Sequence, residues 1–171
     1  MLENLSTITG TITNLMGSNW ESVMHADVMG TSSNSYKIDN EEPGSRMSQY
    51  HLTQGIATTL LMSSIGTHNK GLTIKELKLC VLRPSSFNHN DVNGALSKLE
   101  QVAHYLYTSN MGERKFWFES KANINILINQ AKNEITPAER NVEIINRLNS
   151  ACSGINKVKV LVNPSNDVPE Q

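Results

Sequence analysis

Leu72–Ser120 reads LTIKELKLCVLRPSSFNHNDVNGALSKLEQVAHYLYTSNMGERKFWFES, and its punctuation decides what the chain can fold into. Thr73 followed by Glu76 is a capping box, in which hydroxyl and carboxylate each accept a backbone N–H at a helix start. Leu72 and Leu77 occupy the staple positions around it, and Ile74, Leu77 and Val81 recur at helical spacing. Arg83-Pro84 stops this helix, because the residue before proline avoids helical angles. A second helix opens at Asn88, with Asp91 in its first turn and Phe87 and Val92 at the staple positions. Val92, Ala95, Leu96, Leu99 and Ala103 make its apolar stripe. Gly94 inside it costs roughly 1 kcal/mol relative to alanine, so a closely packed neighbour is expected there.

After Ala103 the period changes from helical to alternating. Tyr105-Leu106-Tyr107 leads out, Ser109–Glu113 turns the chain, and Lys115-Phe116-Trp117-Phe118 leads back. Aromatic enrichment around a glycine-containing loop is a hairpin signal. Helix, turn, helix and hairpin in that order predict a winged helix-turn-helix core. Such cores serve both as DNA readers and as protein-interaction modules, so the order alone leaves the function open.

The totals narrow the choice. The chain has 171 residues, 38% of them hydrophobic and 18% charged, and a formal charge of −1. A length of this order suits one domain with a core and appended pieces. The neutral balance counts against nucleic acid as the main partner, because phosphate recognition draws on a basic surplus. Cys80 and Cys152 lack metal or redox spacing and are expected to be buried free thiols. No cationic segment precedes an apolar run, and no stretch reaches membrane length, so a cytoplasmic location and no membrane partner are expected.

Outside the central stretch, Leu2, Leu5, Ile8, Ile12 and Leu15 predict a helix over residues 1–16. Asn19 is placed to cap a short turn through Val23. Residues 30–45 (GTSSNSYKIDNEEPGS) read as a mobile polar linker, with a boundary near Gly44. Arg46 to Ile65 reads as one buried helix with Leu52, Ile56 and Leu60 on its stripe, and Gly55 is placed for a close crossing. Ile124, Leu127, Ile128, Ala131 and Ile135 predict another helix. Thr136-Pro137-Ala138-Glu139 caps a further one, which continues through Val142, Ile145, Leu148 and Cys152 and ends at Gly154. Lys157–Val162 alternates as a strand with no evident sheet to join. The expected fold is mainly α with a small β-hairpin (α+β): a winged helix-turn-helix core, flanking helices and a C-terminal strand. The expected divisions are 1–45 (N-terminal helix and linker), 46–135 (winged helix) and 136–171 (helix and strand leading to a next domain).

Several runs carry a resemblance: Gly55–Ser64, Gly71–Leu77, Arg83-Pro84, Ala95–Leu99, Tyr105–Tyr107, Phe116–Phe118, Asn123–Ile128 and Val160–Pro164 through Asp167–Pro169. Through them the chain resembles the middle portion of a family of very large prokaryotic P-loop ATPases of the AAA-plus type, described mostly as a domain of unknown function. The likeness spans most of Tyr36 to Glu170 and rests on packing and turn motifs. It implies ATP and Mg for a parent protein and neighbouring domains of that protein, or another protein, as partners. The chain itself has no G-x-x-x-x-G-K-[ST], and Asn69-Lys70-Gly71 has the residues in the wrong order. No catalytic, cofactor or metal residue is therefore assigned, and Met1 is expected to mark a cut in a longer protein.

Other candidate chemistry has a plainer reading. His25, His51, His68, His89 and His104 show no ligand spacing and are expected at surfaces, caps or the strand start. Asp27 and Glu41-Glu42 lie in polar sequence and are expected to be solvated. Ser63-Ser64 and Ser85-Ser86 lack an activating His/Asp arrangement. For DNA, the second helix would enter the major groove with the hairpin near the backbone. Its Asn90, Asn93 and Lys98, with Lys70, Lys75, Lys78 and Arg83 before it and Arg114 and Lys115 on the hairpin, are the candidate nucleic-acid contacts. Asp91 and Glu100 on the same helix oppose phosphate. A non-catalytic module for interdomain coupling or protein interaction is the favoured expectation, with a DNA-binding domain as the alternative.

Overall fold

The computed structural model describes residues 2–65, 71–83, 86–109 and 112–152, with side chains from Thr7 onward except that of Ile8. Its elements in chain order begin with α1 (Leu2–Met16) and α2 (Asn19–Val23), which runs into a π-helical turn (Met24–Val28). There follow α3 (Asn34–Asp39), α4 (Arg46–Tyr50), α5 (Leu52–Ser64), β1 (Leu72–Thr73), α6 (Ile74–Val81) and α7 (His89–Val102). Last come β2 (Leu106–Ser109), β3 (Lys115–Phe118), α8 (Ile124–Glu134) and α9 (Pro137–Cys152). The protein is mainly helical with a small three-stranded antiparallel sheet, an α+β arrangement.

The caps sit where the sequence places them. Glu76 Oε2 accepts the Thr73 N–H at 2.8 Å, and Thr73 Oγ1 accepts the Glu76 N–H at 3.3 Å. At α7, Asn88 Oδ1 accepts the N–H groups of Asn90 and Asp91, while Asp91 Oδ2 accepts the Asn88 N–H. These bonds satisfy N–H groups that a helix start otherwise leaves unpaired.

The sheet has order β1-β3-β2, with Leu72 opposite Phe116 and Leu106 opposite Phe118. Leu106, Phe116 and Phe118 point inward and join Leu60, Leu77, Leu99 and other buried residues in one apolar core. Each such side chain contributes about 1.5–3 kcal/mol on burial. The third strand, β1, is an addition to the expected two-stranded hairpin. It is two residues long, too short for alternation to register, and the backbone of β3 recruits it. Gly71 makes that pairing possible: its φ is +86°, and a Cβ there would lie 2.6 Å from the Phe116 carbonyl oxygen.

Four expectations need correction. Arg46 to Ile65 is two helices, broken at His51, whose φ of 49° is left-handed. The start of α5 has no cap of its own; the Asp39 carboxylate accepts the Thr53 and Gln54 N–H groups at 2.8 and 3.0 Å. The supposed linker is ordered into the core, with Ser33, Ser35, Ile38 and Asp39 all buried. Its small polar side chains bond backbone, as Ser33 does in accepting the Tyr36 N–H and Ser35 in donating to the Val28 carbonyl. The Cys80 thiol is exposed, lying just off the stripe of α6. Neither Gly55 nor Gly94 has a neighbour within 4 Å of an added Cβ, so neither marks a close crossing within the described residues.

The chain forms one compact unit over Met1–Ile128 and a second over Asn129–Gln171, so the N-terminal segment belongs with the helix pair. In the second unit α9 opens with a capping box between Thr136 and Glu139. No residue of α9 is buried, and Val142, Ile144 and Leu148 are exposed. The expected terminus at Gly154 and strand at Lys157–Val162 lie outside the described residues. No helix among the described residues is long and apolar enough to cross a membrane.

Candidate interaction face of the helix pair and hairpin

Helical periodicity fixes what α7 offers to its surroundings. Because Val92, Ala95, Leu96 and Leu99 are buried, the opposite ridge of Asn90, Gly94, Ser97 and Gln101 is exposed. That ridge is polar and carries no charge. The hairpin stands beside it, with Tyr107 and Trp117 stacked on the sheet face away from the core, ring centroids 6.2 Å apart.

The nine residues singled out for nucleic acid meet different fates. Lys75 pairs with Glu113 at 3.1 Å, and Lys98 pairs with Glu41 at 2.6 Å. Arg114 pairs with Glu100 and lies over the Phe116 ring, 5.1 Å from its centroid. The Glu41 carboxylate raises the Lys98 pKa by hydrogen bonding and charge, despite some desolvation. The Asn93 side-chain oxygen is buried without a hydrogen-bond partner, so it is turned away from a base-reading position. Asn90 is exposed, Lys78 and Lys115 are half-buried, and Arg83 is exposed at the end of α6. Lys70 lies outside the described residues. The acidic side chains of α7 also draw on cations, Arg46 standing 3.9 Å from Asp91.

Two buried carboxylates stand apart from these, one that the sequence reading expects to be solvated and one that it does not single out. Asp27 is fully buried rather than solvated. Its Oδ1 accepts from Asn34 Nδ2 at 2.7 Å and the His104 N–H at 3.1 Å, and its Oδ2 accepts the Tyr105 N–H at 2.7 Å. Burial pushes its pKa above the ordinary aspartate value, partly offset by the Tyr105, Asn34 and His104 donors and by the charge of His104. Asp39 is raised for the same leading reason, partly offset by Thr53 and Gln54. A signal for Asp27 exists in the sequence. It lies seven residues after Trp20 and four after Val23, on the same helical face as those two buried side chains. Both aspartates satisfy backbone donors at chain turning points, which is bracing chemistry rather than acid–base chemistry.

Among the described residues no three His, Cys, Asp or Glu side chains are grouped to hold a metal ion. Comparison with known proteins finds no matching family model, no matching curated protein and no matching solved structure.

Proposed function

We propose that this chain is a winged-helix module that engages protein, a non-catalytic joint between neighbouring domains of a larger AAA-plus-like P-loop ATPase or between that protein and another. The order α5-β1-α6-α7-β2-β3, with β3 between β1 and β2, supports the winged-helix reading. In that reading α7 takes the place of the helix that DNA readers lay in the major groove. ATP and Mg belong to the parent protein, outside this chain.

The observation that carries the choice of partner is the pairing of Lys75, Lys98 and Arg114 with Glu113, Glu41 and Glu100 of the same chain. A duplex docking on α7 and the hairpin would have to break these pairs and bring three carboxylates close to phosphate. Affinity for a duplex comes mainly from cations that neutralise phosphates and release counterions, and cations already paired have less to give. Opposite its buried stripe α7 exposes an uncharged polar ridge, compatible with a protein surface. Titrating the chain with labelled duplex DNA at low and moderate salt tests this. Weak binding is the expected result, and micromolar binding with a steep salt slope would overturn it in favour of a DNA-binding winged helix.

A further inference from the structure

Two adjoining hollows of about 90 and 540 Å³ form one groove beside α5. Tyr50, His51, Gly55, Met62, Arg83 and Phe87 are among its walls. Two features of this groove have no explanation within the fold. Gly55 stands inside a helix, where glycine is destabilising relative to alanine, yet it is exposed and nothing lies within 4 Å of an added Cβ. No carboxylate pairs with Arg83 among the described residues, and none lines the groove. An open floor and a guanidinium with no carboxylate partner among the described residues meet in one concavity.

We infer that this groove is the docking site for an acidic, amphipathic segment of a partner protein. A carboxylate of that segment meets Arg83, and an apolar side chain seats over Gly55 against Met62 and Tyr50. Charge complementarity sets the sign of the occupant: a guanidinium takes a carboxylate through two parallel N–H···O bonds. The walls set its class. Met62 and Tyr50 are 61% and 42% exposed, and Tyr50 is held edge-on to Phe87 at 6.1 Å. They offer an apolar anchor site of the kind that protein partners fill. One arginine among the hydroxyl, amide and apolar side chains of this groove does not match the run of cations that a phosphate backbone needs. The inference deepens the protein-interaction reading and rests on it.

The test is fluorescence anisotropy of the full chain with a labelled amphipathic peptide, glutamate on one face and leucine on the other, beside its lysine counterpart. Saturable binding of the acidic peptide alone is expected, weakened at least about tenfold by Arg83→Glu and by Gly55→Gln. Gly55→Gln places its Cβ in open space and replaces a helix-interior glycine, so it should also raise the melting temperature, a combination that a folding defect cannot produce. The docking site is overturned if the acidic peptide does not bind, if the lysine peptide binds equally well, or if Gly55→Gln leaves affinity unchanged. Those outcomes, with duplex DNA still unbound, leave the module reading standing. Duplex binding abolished by Arg83→Glu overturns both.

Discussion

Asp27 Oδ2 accepts the backbone N–H of Tyr105 at 2.7 Å, so a residue of the N-terminal segment fixes where the β2–β3 hairpin leaves the helix pair. The same carboxylate takes the His104 N–H, and Asn34, which donates to it, also donates to the Val102 carbonyl at 3.0 Å. A short stretch of N-terminal chain thus ties together the end of α7 and the start of β2. Asp39, at the end of the same stretch, holds the start of α5 through Thr53 and Gln54. The segment before the helix pair therefore braces two of its corners.

Removing the first brace should be costly. Asp27→Ala leaves three donors buried without their acceptor and is expected to destabilise the chain by about 3–5 kcal/mol. Asp27→Asn keeps one acceptor oxygen and should cost about half as much. Urea unfolding measures both, and native-state amide exchange should show protection falling first at His104 and Tyr105. Unchanged exchange at those two amides would remove Asp27 from this role.

The pH dependence follows from burial. Desolvation raises Asp27 and Asp39 above their ordinary values, so the folded chain takes up these protons at higher pH than the unfolded chain does. Their contribution to stability is fully present below the ordinary aspartate value of about 3.9 and is lost as pH rises through the folded values. Glu76 and Glu139 are lowered, chiefly by the Thr73 and Thr136 backbone N–H groups, and act in the opposite sense as pH falls. The difference between wild type and Asp27→Asn isolates the buried group. The wild type's stability relative to the variant should increase as pH falls from neutral towards the ordinary aspartate value. A difference that shrinks over that range would mean that the hydrogen bonds outweigh desolvation.

What the sequence made legible was local. The capping residues Thr73, Asn88 and Thr136 and the stripe Val92-Ala95-Leu96-Leu99 marked α6, α7 and α9, because those signals act within a few residues. The paired aromatics marked β3. What stayed hidden depends on residues far apart in the chain. The break at His51 makes sense only with Asp39 placed against Thr53. The polar run over residues 30–45 reads as linker until Ser33 and Ser35 are seen bonding buried backbone. The ion pairs on the candidate face stayed hidden for the same reason: Glu41 and Glu100 are brought to Lys98 and Arg114 only by the fold.

Two glycines should respond oppositely to alanine. Gly71→Ala sets a Cβ against the Phe116 carbonyl and forces a left-handed alanine, so β1 should detach from β3 at a cost of about 2–4 kcal/mol. Gly94→Ala meets open space within α7 and should stabilise the chain by about 1 kcal/mol. Thermal unfolding of the two variants compares them directly, and a stabilised Gly71→Ala would contradict the sheet order.

The charge pairs that mask α7 and the hairpin allow a test by subtraction. Substituting Glu41→Gln, Glu100→Gln and Glu113→Gln together frees Lys98, Arg114 and Lys75 while retaining side-chain volume and hydrogen-bonding capacity. Exposed ion pairs are worth about 0–1 kcal/mol each, so the fold should survive with a small change in melting temperature. On the proposed winged-helix reading, the unmasked variant should acquire duplex affinity that falls steeply with salt, while the wild type remains a weak binder. Such a gain would identify self-neutralisation as the device that keeps this face from nucleic acid. If the triple variant binds duplex no better than the wild type, the masking account fails, and the choice of a protein partner must rest on the shape of the uncharged ridge alone.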